Sequence, residues 1–232
     1  MWKNKMKALT FSYDDGVRQD VRLIEILNKY GLKCTFNLNS ELLGKENSLI
    51  RDGVEIRHDK VAAKDVRAIY SGHEIAAHTL THPTLTKVED SAEIVRQVEE
   101  DRIKLSDLVG YEVIGFAYPG GGVNFNSQIA ELIKSNTEVK YARTTVSTHN
   151  FELQSNLFEF KPTVYHHVEF DKLFELGERF LEMKPETPQC FYIWGHSYEF
   201  DIRNEWDRFE EFCKMMSGKD DIFYGTNRDI LL

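Results

Sequence analysis

Short apolar runs alternate with amphipathic helical stretches through most of this chain, and that alternation limits what it can fold into. The first run ends in "FSYDDG". The next stretch, "GVRQDVRLIEILNKYG", puts Val17, Val21, Ile24 and Leu27 on one helical face and stops at Gly31. "CTFNLN" then alternates at the two-residue period of a strand, with Cys34, Phe36 and Leu38 on one side. The pattern continues with a short helix at "KDVRAIYSG", a strand at "HEIAAH", and a long helix opened by "DSAE". Asp90 caps that helix, Glu93 completes a capping box, and Gly110 ends it. "YEVIGFAY", "KYART", "CFYIW" and "DIFYG" read as further strands. Helices are predicted at "NSQIAELIKS", over 171–183 and over 204–216. Two stretches depart from the pattern: 41–60 is a polar excursion from the core, and the chain leading to His167 is irregular.

With no Pro/Gly/Ser linker, compositional break or repeat, this order predicts a single α/β domain over residues 1–232. Its sheet is mostly parallel, either open or closed into a barrel. The net charge of -9 opposes a sequence-independent grip on nucleic acid or anionic membrane, which points to a small-molecule or neutral partner. Cys34, Cys190 and Cys213 suit neither a disulfide framework nor a thiolate zinc cluster, and read as buried apolar residues. No stretch has the length of a membrane span or the core of a signal peptide, so a cytoplasmic location is expected. The oligomeric state is left open.

Parallel α/β folds bind ligands beyond the C-terminal ends of their strands, because each strand delivers its loop to the same face. Four predicted strand ends here carry chemistry: Asp14-Asp15-Gly16, His78 to His82-Pro83, Pro119 to Gly122, and His196. Pro83 disfavours helix at His82, so the two histidines are expected on a turn. Two neutral imidazoles and the Asp15 carboxylate form an N,N,O set that suits one divalent metal. Zn²⁺ is the first choice, and Co²⁺, Mn²⁺ or Ni²⁺ would also be accepted. Each motif alone has an ordinary explanation as a turn or a core histidine. Their joint occurrence at successive strand ends does not.

"SYDDG", "HTLTHP", "FAYPGG" and "YIWGH" resemble the first, second, third and fifth motifs of the polysaccharide deacetylase (NodB-like) family, carbohydrate esterase family 4. The resemblance implies a distorted (β/α) barrel of about seven strands and a metal-dependent hydrolase that removes acetyl groups from sugars. It further implies Asp14 as general base, Asp15, His78 and His82 as metal ligands, the Gly120 N–H as oxyanion donor, and His196 as general acid. Pro119, Arg143 and Trp194 are the expected substrate contacts.

The chain departs from the family pattern twice. Ala117 stands where the third motif often has an Arg, with Arg143 as a candidate substitute, and the fourth motif, which supplies the partner of the acidic histidine, is not found. His73 reads as structural, and His166 and His167 as candidate rim residues. The expected activity is deacetylation of an N-acetylated amino sugar or oligosaccharide. The alternatives are hydrolysis of a non-sugar amide or ureide, and a metal-containing carbohydrate-binding protein without turnover.

Overall fold

A computed structural model describes residues 2–232. Its organising strand is β1 (Lys7–Asp14), in which all eight residues are buried, as befits a strand with neighbours on both edges and packing on both faces. On one edge β1 pairs along nearly its whole length with β9 (Gln189–Gly195). On the other it pairs first with β10 (Ile222–Tyr224) and then with β2 (Cys34–Leu38). Beyond β2 lie β5 (Glu74–Ala77), β6 (Gly115–Ala117) and β7 (Tyr141–Arg143), and beyond β9 lies β8 (Val164–Tyr165). Seven parallel strands in the order β7-β6-β5-β2-β1-β9-β8 thus form a curled half-barrel, with β10 added against the start of β1. The chain around Phe160 spans part of the gap between the two edges. Its backbone bonds Ala142 and Thr144 on one side, and Thr163 bonds Tyr192 on the other.

Seven helices lie in the connections between strands, α1 (Asp20–Lys29), α2 (Val66–Ile69), α3 (Ser91–Val109), α4 (Ser127–Asn136), α5 (Phe170–Glu182) and, both between β9 and β10, α6 (Glu199–Ile202) and α7 (Trp206–Met216), while α8 (Asn227–Leu231) follows β10. Leu23 and Leu27 of α1, Val98 and Leu105 of α3, and Leu173 and Leu176 of α5 join one apolar cluster with Phe11, Phe36, Phe116 and Phe191 of the strands. Burial of this face stabilises the helices more than their intrinsic propensity does. No helix among the described residues is long and apolar enough to cross a membrane.

Several local expectations are corrected. Helix α1 begins at Asp20, and Val17 instead pairs with Lys60 in an isolated bridge. Asp90 does cap α3 by accepting the Ala92 N–H. Glu93, however, turns to Arg96 and Gln97, where charge-assisted bonds outcompete the return bond of a capping box. The polar excursion contains an antiparallel hairpin, β3 (Ser48–Arg51) and β4 (Val54–Arg57), whose exposed residues obscure its strand period.

Candidate active site

The strands end at a common level, and their register brings the site together. Asp14 pairs with Asn37, Leu38 with Ala77, Ala77 with Phe116, and Ala117 with Arg143. Above this layer lies a cavity of about 650 Å³, bordered by Asp14, Asp15, His78, His82, Gly120 and His196 among others.

Asp14 is nearly inaccessible and closely held. Arg143 Nη2 donates to its Oδ1 at 2.6 Å and its Oδ2 at 2.5 Å, and Asn37 Nδ2 donates to Oδ1 at 2.7 Å. Arg143 is also fully buried and lies 4.6 Å from the Trp194 ring centre, close enough for a cation–π contact. A carboxylate and a guanidinium can both be buried because each is the other's countercharge.

Asp15, His78 and His82 offer ligand atoms that all lie within 4.8 Å of one another. His78 Nδ1 lies 2.8 Å from the Ala117 carbonyl. Only a protonated nitrogen can bond that oxygen, so Nε2 keeps its lone pair and faces the site. Burial pushes His78 down to about 4 and lowers His82 as well, which leaves both rings neutral and ready to donate at neutral pH. Burial acts to raise Asp15, but Lys60 in front, followed by His58, His196 and His82, holds it well below the usual carboxylate range. This set fits a divalent metal in donor type, charge and protonation. The backbone is strained to present it: Asp15, Thr79 and His82 have φ of 83°, 71° and 61°, and such non-glycine left-handed residues cost on the order of 1–3 kcal/mol each. The turn expected from Pro83 is present, with His82 in the left-handed region.

His196 follows β9 at the cavity wall, its Nε2 4.0 Å from Asp15 Oδ2. Glu199, in the first turn of α6, accepts the His196 backbone N–H at 3.0 Å and places Oε1 3.0 Å from His196 Nδ1. Burial works against a charged His196, but Glu199, joined by Asp15 and Asp14, outweighs it and the imidazole is raised. Glu199 is itself opposed by burial, yet His196, His166 and Arg51 bring it down to about 2. This pair supplies from the same loop the histidine partner for which no fourth motif was found.

Of the remaining expected positions, Gly120 and Trp194 border the cavity, while Pro119 is buried beside it and outside its lining. Arg143 is corrected from a substrate contact to a buried partner of Asp14. His166 is corrected from a rim residue to an interior one, stacked between Tyr13 and Phe200. The absence of a side chain at Gly195 gives its ring room. His167 is also buried and faces Asp52. His73 sits away from the cavity against Cys34 N and Asn28, consistent with a structural reading.

Four residues of the site were missed. His58 Nε2 stands 3.0 Å from Asp15 Oδ2, and Lys60 Nζ bonds the Asp15 carbonyl at 2.7 Å, both delivered by the excursion. A lone histidine in a polar stretch gives no sequence signal. Asn37 did give one, as a polar residue near the end of a buried strand, and so did Glu199, spaced one helical turn after His196.

Comparison with known proteins agrees with this geometry. A curated relative, the peptidoglycan-N-acetylglucosamine deacetylase PgdA of Listeria monocytogenes, is 28% identical over 132 residues, which cover 56% of this chain and 24% of that protein. The chain therefore spans about a quarter of the length of the curated relatives it matches. The fold is shared with a family 4 carbohydrate esterase from Streptomyces lividans solved with acetate, at a TM-score of 0.56 and 14% identity over 96% of this chain and 92% of that one. It is also shared with a family 4 pseudoenzyme from Bacillus anthracis, at a TM-score of 0.56 and 16% identity over 99% of this chain and 66% of that one. The sequence profile described as polysaccharide deacetylase matches residues 3–140, more than half of the chain. On that match, and with the Asp-Asp pair and the two histidines of its motifs converging at the strand ends, the chain belongs to the polysaccharide deacetylase family.

Proposed function

We propose that this protein is a metal-dependent hydrolase that removes acetyl groups from N-acetylated amino sugars or their oligomers. The observation that carries this reading is the division of labour between two adjacent carboxylates. Asp15 joins His78 and His82 in a ligand set, while Asp14 is held apart by Arg143 and Asn37 with an oxygen 3.9 Å from His78 Nε2.

Asp15, His78 and His82 would hold the ion, which when bound supplies Lewis acidity to the amide carbonyl and to an attacking water. Asp14, oriented by Arg143, accepts the proton that water gives up. The Gly120 N–H is assigned to the developing oxyanion, where a preorganised donor acts most strongly. His196 delivers a proton from Nε2 to the departing nitrogen, with Glu199 Oε1 3.0 Å from Nδ1, where its charge favours the protonated ring. Trp194 and Tyr165, stacked 4.2 Å apart, provide an aromatic wall for a sugar ring. No covalent intermediate is needed.

The test is acetate release from N-acetylglucosamine oligomers, peptidoglycan fragments and xylan, each with Zn²⁺, Co²⁺ and Mn²⁺. Release from an N-acetylated member supports the reading. Release from none, with metal bound, contradicts it and leaves a hydrolase of a non-sugar amide or ureide, or a metal-containing carbohydrate-binding protein without turnover.

A further inference from the structure

The β3–β4 hairpin is fastened across one side of the cavity at its base, along its length and at its tip. At the base, Asp59 accepts the Asn47 N–H and pairs with Arg57, and Val61 N bonds the Gly16 carbonyl. Along its length, Ile56 and Leu49 pack with Val17, Tyr198 and Ile202, and Gln19 donates to both the Arg57 carbonyl and Asp201. Near the tip, Arg51 donates to the Tyr165 hydroxyl at 2.6 Å and lies 3.2 Å from the buried Glu199. At the tip, Asp52 pairs with His167 at 3.1 Å and Arg203 at 3.3 Å.

The hairpin leaves the barrel after β2 and reaches the loops after β8 and α6, so it passes over the ends of β1 and β9. A long glycan crossing the barrel mouth toward β8 would meet this strap. The facing wall, Gly120 to Gly122, carries no side chains. What remains is a pocket closed on one side, and its volume of about 650 Å³ falls within the range that encloses a drug-sized ligand.

We infer that the substrate is a short N-acetylated amino sugar, or the terminal unit of a chain, rather than an interior unit of a long polysaccharide. This rests on the deacetylase reading above and narrows it. Arg51 links the strap to the His196–Glu199 pair, so closing the pocket and orienting the histidine are served by the same residue.

Two measurements test this separately from the reading beneath it. In the first, kcat/KM is compared across the N-acetylglucosamine monomer to hexamer with metal-loaded enzyme. The expected result is a plateau by the dimer, with less than about a twofold gain beyond it, and deacetylation confined to a terminal unit. A rise of about tenfold or more toward the hexamer, or reaction at interior units, overturns the inference. In the second, the same oligomers are titrated calorimetrically into wild-type protein stripped of metal by a chelator. If no oligomer is hydrolysed but affinity levels off at the dimer, the deacetylase reading fails and the length limit stands. Affinity that climbs with length overturns the length limit, and no binding by any oligomer together with no hydrolysis overturns both. The double variant Asp52→Ala/Arg203→Ala, which unfastens only the tip, is expected to raise the hexamer-to-monomer ratio of kcat/KM several-fold, and an unchanged ratio counts against the strap.

Discussion

Arg143 and Asp14 are joined across the barrel floor, with one guanidinium nitrogen 2.6 and 2.5 Å from the two carboxylate oxygens and both side chains almost wholly buried. In register, Arg143 sits opposite Ala117, the position at which the family pattern often has an arginine. The positive charge has moved one strand over and still reaches the same carboxylate. Breaking a buried pair leaves an uncompensated charge, so Arg143→Ala is expected to cost about 3–5 kcal/mol of stability. Arg143→Lys is expected to recover much of that stability, but not kcat, because the shorter lysine side chain cannot reach Asp14 while also replacing the planar group that bonds the Thr144 carbonyl and lies over Trp194. Urea unfolding with acetate release on the same samples checks both.

Metal content separates the ligands from their neighbours. His78→Ala and His82→Ala are expected to lose bound metal and hydrolysis together, read by metal analysis after dialysis. Lys60 Nζ stands 3.5 Å from Asp15 Oδ1, where its charge competes with a cation for the same carboxylate. Lys60→Met is therefore expected to tighten metal binding by about tenfold, or ~1.4 kcal/mol. Unchanged or weaker binding would contradict that competition.

The pH dependence follows from His196 and Glu199. The folded His196 is raised, so its charged form persists above the ordinary imidazole range. Any stability it contributes is present at low pH and lost as pH rises through the raised value. As the proton donor, His196 should give kcat/KM an alkaline limb above about 6.5. Glu199→Gln removes the charge that does most to raise the ring, so the limb is expected to move to lower pH. Glu199 is brought down to about 2, so its contribution to stability is present above the usual carboxylate value and fades as pH falls toward 2. A pH–rate profile of both proteins decides the assignment.

Gly120 has φ of +83°, and a Cβ there would lie 2.9 Å from Thr84 Oγ1. Gly120→Ala is expected to cost about 1–2 kcal/mol from the left-handed backbone alone. It should also lower kcat more than it raises KM, because a displaced N–H acts mainly in the transition state. Equal activity in steady-state kinetics would remove Gly120 from the oxyanion site.

The alternation of strands and helices and the four chemistry-bearing strand ends were legible in the sequence because they follow from local period and from the rule that parallel strands deliver their loops to one face. What could not be read were contacts made across the barrel. Arg143 was visible as a charge at a strand end, but the register that aims it at Asp14 depends on how five strands align. His58 and Lys60 were hidden because they directly follow a hairpin of mostly exposed residues, which shows no apolar period. Glu199 lay one helical turn from His196, a local signal that becomes meaningful only once α6 is known to start there.

The central claim is that two neighbouring carboxylates do different work, and Asp14→Asn tests it most directly. Metal content and acetate release are measured on the same preparation, with retained metal also reporting a folded site. The account predicts that metal binding is kept while kcat falls about 10²–10⁴-fold, the usual worth of a general base. Activity within a few-fold of wild type, or loss of metal from a folded protein, would contradict it.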